Sequence, residues 1–355
     1  MTSDLALETL LLPIFERHLP WPEAGGALFL GARDGWPLHR QALLGLVCES
    51  QFKPDVDTLQ RSGMTVCQAA DVGARYPLVL LLPPRQRDCA RALYARGLQQ
   101  VQPGGVLLVC QSNSEGAKSG EIDLSRVAGA LTVMCKNKCR VFWTRPHEQR
   151  DEVLLAQWRE LDAPRPILDG RFSSRPGVFA WDRIDLASQL LADHLPADLA
   201  GDAADLGAGF GFLSAELLSR CPGIRSLHAY EADARALDLA RGNLLPFADK
   251  VALTYHWHDV TQGLAEKFDV IVSNPPFHAQ QAAERPDIGR RFIAAAAAAL
   301  RPGGRLWLVA NRHLPYESEL VNGFAKVQVV TQQNGFKVVE AIKAAVSPFA
   351  ANTRR

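Results

Sequence analysis

The sequence predicts an α/β protein of two tandem units, each built on a mostly parallel sheet, with the first unit a degenerate copy of the second. Three observations carry this. The short apolar run Ala203-Ala204-Asp205-Leu206 leads through Asp205-Leu-Gly-Ala-Gly-Phe-Gly211 into Phe212–Leu218, whose apolar spacing is helical, so the glycines occupy a strand-to-helix turn. The continuous apolar run Phe268–Ser273 suits a strand buried on both faces, and Asn274-Pro275-Pro276-Phe277-His278 follows at its carboxyl end. The same order of blocks recurs upstream. Tyr76–Gln86 mirrors Phe268–His278, and Val101–Val109, with its Pro-Gly-Gly turn, mirrors Leu300–Leu308.

In the first half, the apolar positions within residues 5–18 predict an amphipathic helix. Ala27–Leu30 then reads as a strand entering the reduced glycine turn Gly31–Gly35, Pro37–Leu46 as helix-like, and Val47–Glu49 as a second strand. Leu131–Val133 and Lys138–Trp143 close the half as a hairpin. Residues 146–176 hold Pro146, Pro164, Pro166 and Pro176 among many charges and predict a connector with a short helix at Glu152–Leu161, which sets the domains at residues 1–150 and 165–355.

The second half predicts a helix over 184–195, the glycine turn, strands at Leu227–Glu231 and Val251–Tyr255, and a helix over Asp233–Leu244 between them. Arg290–Leu300 with its alanine run is a strong helix former. Pro302-Gly303-Gly304 turns the chain into a fifth strand, and Asn334-Gly335 sits in the turn of a closing hairpin.

Gly207, Gly209 and Gly211 would let a ligand lie against the backbone without a Cβ in the way. Glu231, about 20 residues on, stands where a strand-end acid accepts hydrogen bonds from ribose hydroxyls, and Asp259 could take an exocyclic adenine N–H. Asn274 and the Pro275 carbonyl are two acceptors immobilised by the rigid Pro275-Pro276 loop. Two such acceptors gripping the N–H bonds of an aromatic amine localise its lone pair toward an electrophile. Phe277 offers a face for a flat base.

In this order, DLGAGFG, Glu231, Asp259 and NPPF with His278 resemble the class I S-adenosylmethionine-dependent methyltransferases, within them the RsmC/RlmG family of ribosomal RNA guanine-N2 methyltransferases. Gly177-Val178-Phe179, Asp185–Leu191 and Val309–Tyr316 extend the resemblance over most of residues 177–345. It implies Rossmann-like methyltransferase domains with seven-stranded sheets ending in an antiparallel hairpin. S-adenosylmethionine is the implied cofactor, on Asp205, Gly207, Gly209, Gly211, Glu231, Asp259 and Phe179, with Asn274, Pro275, Pro276 and Phe277 as catalytic residues and Phe277, His278 and His313 around the base. Lys118-Ser119-Gly120 and Phe336-Lys337-Val338 resemble the small-subunit enzyme, Asn311-Arg312-His313-Leu314 the large-subunit one, and we favour the small-subunit RNA. In the first copy Leu82 stands where Asn274 stands in the second and Arg85 where Phe277 stands, so this copy is expected to support the fold or grip RNA rather than turn over substrate. Arg85, Arg87, Arg91, Lys118, Lys136, Lys138 and Arg140 are its candidate phosphate contacts.

With 47% apolar and 22% charged residues the 355-residue chain has the composition of a globular protein. A net charge of +1 leaves RNA contact to local basic clusters. We expect no signal peptide and no membrane span, a cytoplasmic location, and a monomer. Seven cysteines without paired CxxC spacing imply reduced thiols, and neither Cys135 and Cys139 nor the histidines show metal-ligand spacing, so no metal is expected. Two other readings compete. A nicotinamide oxidoreductase would use the glycine turn but has no role for NPPF, and a non-catalytic RNA-binding protein leaves the retained acceptors of the second copy unexplained.

Overall fold

The computed structural model describes residues 4–146, 150–276 and 286–345. Two units separate, one of residues up to 164 with 175–177, the other of 165–174 and 178 onward.

The first unit contains α1 (Leu5–Phe15), β1 (Ala27–Leu30), β2 (Leu46–Glu49), α2 (Lys53–Arg61), β3 (Thr65–Cys67), β4 (Tyr76–Leu81), α3 (Arg87–Gln100), β5 (Val101–Ser112), α4 (Ala117–Ala128), β6 (Leu131–Lys136), β7 (Cys139–Thr144) and α5 (Glu152–Arg159). The second contains β8 (Arg165–Ile167), β9 (Phe172–Ser174), α6 (Leu186–His194), β10 (Ala200–Leu206), α7 (Phe212–Arg220), β11 (Gly223–Glu231), α8 (Ala234–Leu244), β12 (Ala252–Trp257), β13 (Phe268–Ser273), α9 (Pro286–Ala299), β14 (Leu300–Asn311), α10 (Glu317–Gly323), β15 (Lys326–Gln333) and β16 (Phe336–Ile342). Their seven-stranded sheets run β3-β2-β1-β4-β5-β7-β6 and β12-β11-β10-β13-β14-β16-β15, one order used twice. In each, five strands are parallel and the last two form an antiparallel hairpin on the fifth.

Each sheet is buried on both faces, which is why its central strands read as unbroken apolar runs. In the second unit Val270, Val272 and Trp307 pack with α6, α7 and α8 on one face, while Ile271, Leu306 and Leu308 pack with α9 and α10 on the other. In the first, Phe29, Leu80 and Leu108 meet α1 and α2, and Leu30, Leu81 and Leu107 meet α3, α4 and α5.

The helix-like reading of Pro37–Leu46 is corrected. Only Trp36–His39 forms a short 3₁₀ turn, and Leu44 is exposed. This stretch offers Pro37 and Leu38 to the core but no stripe of apolar residues at helical spacing, so nothing holds a longer helix. The helix expected over 5–18 ends at Phe15, because the chain turns at Glu16 and Arg17, whose φ is +60°. The hairpin β8–β9 carries no apolar alternation and was not legible in the sequence.

Candidate active site

Parallel pairing sets the site. Leu206 of β10 lies between Tyr230 of β11 and Ser273 of β13, and the Ser273 hydroxyl donates to the Leu206 carbonyl at 2.7 Å. The glycine turn and the Asn274-Pro275-Pro276 loop therefore leave adjacent strands side by side at the carboxyl edge of the sheet, where open α/β sheets hold their ligands.

The turn is tied down from three directions. The Gly207 and Ala208 amides both donate to the Tyr230 carbonyl, at 2.9 and 3.0 Å. Glu231 accepts the Gly209 amide on Oε2 at 2.8 Å and the Asp233 amide on Oε1 at 2.9 Å. Asn243 of α8 donates to the Phe210 carbonyl at 2.7 Å and exchanges bonds with Ser173 of β9, so the small hairpin is laced to the turn. Phe172 of β9 meets Phe210 and Phe212 edge to face at 5.8 and 5.9 Å. Gly207 needs its φ of +78°, and Gly211, at φ +93°, lets α7 start against Ala240 of α8, where a Cβ would lie 3.3 Å from the Ala240 Cα.

Asp205 ends β10 wholly buried, with Oδ2 accepting the Ser214 hydroxyl at 2.7 Å and Oδ1 without a partner among the described residues. Burial, with the nearby Glu231 adding to it, pushes its carboxyl up to about 7 despite the Ser214 hydrogen bond. Burial also raises Glu231, against the backbone N–H groups of Asp233 and Gly209 that favour its charge.

A cleft opens over the turn, lined by Phe179, Ala180, Asp185, Ser188, Gly207, Gly209, Phe212 and Asn274 among others. The Asn274 carboxamide is held at one end only. Its Nδ2 donates to Asp185 Oδ2 at 2.9 Å and to Ser188 Oγ at 2.8 Å, while its buried Oδ1 has no partner among the described residues. A buried amide oxygen left so is an acceptor aimed at a donor from outside the chain. Sequence reasoning missed the anchoring roles of Asp185, Ser188 and Asn243. Their contacts to the loop and the turn span 89, 86 and 33 residues, and only the motif Asp185–Leu191 hinted at the first two.

Of the sequence-predicted residues, Gly207, Gly209, Phe179 and Asn274 come together at the cleft. Asp205, Glu231 and Gly211 brace the turn from beneath or beside it. Asp259 caps a 3₁₀ turn, accepting the Thr261 amide at 2.9 Å and the Gln262 carboxamide at 3.2 Å. His313 is exposed in the loop after β14. Phe277 and His278 lie outside the described residues. Among the described residues, ligand atoms of His228, His256 and Glu266 lie within 4.8 Å of one another, the two histidines on paired strands and Glu266 in the loop before β13. Tyr230 binds the group together, donating to Glu266 at 2.6 Å and stacking on His256 at 4.2 Å. Burial and the neighbouring His228 lower the His256 pKa, outweighing Glu266.

In the first unit, the Glu49 carboxylate at the end of β2, the position of Glu231, is held by Arg96 and by the Ala70 amide at 2.7 Å. A Cβ on Gly31 would meet the Leu82 carbonyl at 2.5 Å, and Leu7 of α1 crowds Gly35. Arg85, Lys136 and Lys138 lie exposed at the carboxyl edge, the last two at the β6–β7 turn. Arg87, Arg91 and Arg140 are engaged within the unit, the first two with the buried Asp123 at 2.8 and 2.9 Å and the third with Glu121 at 2.6 Å.

Comparison with known proteins agrees with this geometry. The methyltransferase small domain family matches residues 169–340. Ribosomal RNA small subunit methyltransferase C of Salmonella typhimurium is 31% identical over 279 residues, 78% of each chain. The chain belongs to the ribosomal RNA small subunit methyltransferase C family. The Shewanella pealeana member is 29% identical over 76% of this chain and 78% of its own. The solved T. thermophilus 16S rRNA N2 G1207 methyltransferase, in complex with AdoMet and guanosine, matches with a TM-score of 0.77 at 25% identity, covering 96% of this chain and 92% of that one. The match to the T. thermophilus structure spans both sheets of this chain, and the cleft bearing Asn274 lies in the second.

Proposed function

We propose that this methyltransferase carries a methyl group from S-adenosylmethionine to the exocyclic N2 amine of a guanine in 16S ribosomal RNA. The observation that carries the reading is the Asn274 carboxamide, fixed by its nitrogen and presenting a buried, unpartnered oxygen beside the glycine turn. The turn fits the cofactor, since Gly209 has open space where a Cβ would stand. Gly207, Gly209 and Phe179 would hold it, with Glu231 and Asp259 at the strand ends for its ribose and base. When bound, the cofactor supplies a methyl group on a sulfonium.

The protein aligns and polarises the amine. Asn274 Oδ1 and the Pro275 carbonyl accept its two N–H bonds, which withdraws the lone pair from the ring and points it outward for in-line attack. The amine becomes acidic as it gains charge and loses a proton to water, so no residue is needed as general base. In a duplex the N2 amine lies in the minor groove, so the guanine must be unpaired or splayed out to reach the loop. His313, and by the family resemblance Phe277 and His278, are assigned to the base. Ribosomal RNA as the substrate supports a cytoplasmic location.

The test is methyl transfer to 16S and 23S RNA by wild type and Asn274→Ala, with cofactor affinity measured alongside. Asn274→Ala is expected to abolish turnover and leave cofactor affinity within about a few-fold, because its oxygen acts on the nucleophile. Near-wild-type turnover would refute the role of Asn274, and modification of 23S RNA in preference to 16S would refute the substrate.

A further inference from the structure

A carboxamide has two ends of nearly the same shape and opposite hydrogen-bonding character, and turning it over exchanges them at little steric cost. Had Asn274 its nitrogen toward the amine, two donors would face each other. We propose that Asp185 and Ser188 are positioning residues that set the orientation of the Asn274 carboxamide for methyl transfer. The inference rests on the reading of Asn274 as the acceptor for the reacting amine.

Asp185 decides the orientation because a carboxylate has no hydrogen to give, so only Nδ2 of Asn274 can face it, at 2.9 Å. The carboxylate is itself fixed. It is the N-cap of α6, and the same Oδ2 accepts the Ser188 amide at 2.9 Å. The Ser188 hydroxyl accepts the second Nδ2 hydrogen at 2.8 Å from one turn along the helix. Both amide hydrogens are thereby spent, and Oδ1 alone is left to act.

The first unit supplies an internal comparison. Asp4-Leu5-Ala6-Leu7 opens α1 as Asp185-Leu186-Ala187-Ser188 opens α6, and Asp4 caps its helix in the same way, accepting the Ala6 and Leu7 amides at 3.1 and 3.0 Å. There Leu7 holds the place of Ser188 and Leu82 that of Asn274, both buried in one core. Asp4, with no carboxamide to hold, pairs with Arg33. The first unit thus has the cap but neither the serine nor the asparagine. A role confined to starting the helix would require the aspartate alone.

The experiment compares full-length wild type, Ser188→Ala, Asp185→Asn and the double variant Asp185→Ala/Ser188→Ala for kcat, KM for RNA, calorimetric cofactor affinity, and water exchange of the Asn274 side-chain NH2 by NMR, that signal being identified by its absence in Asn274→Ala. Asp185→Asn sets opposite Asn274 a group that can donate as well as accept, so the orientation is no longer dictated and kcat should fall, by less than in the double variant. The double variant should lose about 10- to 100-fold in kcat, the scale of a misplaced reacting group, with KM and cofactor affinity changed less than about 2-fold and the Asn274 NH2 exchanging faster. Ser188→Ala, which keeps the cap and so guards against a folding failure of the double variant, should fall between. Wild-type kcat in the double variant overturns the proposal, as does unchanged NH2 exchange, or a cofactor affinity falling in step with kcat, which would mark a scaffold role. If wild type itself transfers no methyl group to RNA, the proposed function fails, while the NH2 exchange still judges the anchor.

Discussion

Asp205 is wholly buried with one oxygen unpartnered among the described residues, and its carboxyl is raised to about 7 by that burial. A carboxyl that titrates higher folded than unfolded makes the native state bind more protons between the two values, so its contribution to stability declines as pH climbs from about 4 to about 7 and is level beyond. Asp205→Asn keeps an oxygen for Ser214 and has no charge to bury. Its melting temperature relative to wild type should therefore increase from pH 5 to pH 7 and stop increasing above about 7.5. Parallel melting curves for the two proteins across that range would show instead a constant offset if Asp205 were ionised throughout. At this scale the sequence spoke clearly where one short segment holds both chemistry and geometry, as Asn274-Pro275-Pro276 does. It was silent where the partner lies far along the chain. Nothing local marks Asp185 as holding Asn274, since its spacing to Leu186 and Ala187 is that of any helix cap.

Among elements, those buried on both faces or opened by glycine were legible, because burial and a positive φ each leave a compositional trace: β13 was placed at Phe268–Ser273 and α8 within a residue. The stretch Pro37–Leu46 misled because leucines at irregular spacing imitate periodicity, yet of these before Leu46 only Leu38 is fully buried, Leu43 packs half-buried and Leu44 is exposed. The hairpin β8–β9 was invisible for the opposite reason. Its strands are three residues each and owe their place to Asn243, which binds Ser173 and the Phe210 carbonyl together. Replacing that side chain leaves buried peptide groups on two elements without partners. Asn243→Ala should cost about 1–3 kcal/mol of stability and weaken cofactor binding more than Asn274→Ala does, since it loosens the turn and not the acceptor. Denaturant unfolding beside cofactor titration separates the two effects. Unchanged cofactor affinity in a folded Asn243→Ala protein would mean that the turn holds its shape unaided.

For the whole molecule, one strand order appears twice with opposite uses of the carboxyl edge. In the second unit that edge is a cleft with a free acceptor. In the first, Arg96 holds Glu49, and a Cβ on Gly35 would meet Leu7 and one on Gly31 the Leu82 carbonyl, so the turn is packed by its own unit. What the first unit still presents there is positive charge, on Arg85, Lys136 and Lys138. A net charge of +1 gives no general pull on a polyanion, and Arg87, Arg91 and Arg140, three of the seven cations that the sequence nominates, are already paired with acids. If the remaining edge cations touch phosphate, each contact releases counterions and steepens the salt dependence of RNA binding. The variant Arg85→Ala/Lys136→Ala/Lys138→Ala should then bind RNA more weakly at low salt, with the slope of log K against log salt reduced by roughly 0.7–0.9 per lost contact, while cofactor affinity, set in the other unit, stays at the wild-type value. Filter binding from low to high salt measures this directly. An unaltered slope would mean that RNA is held without this edge, leaving the first unit the task of supporting the fold.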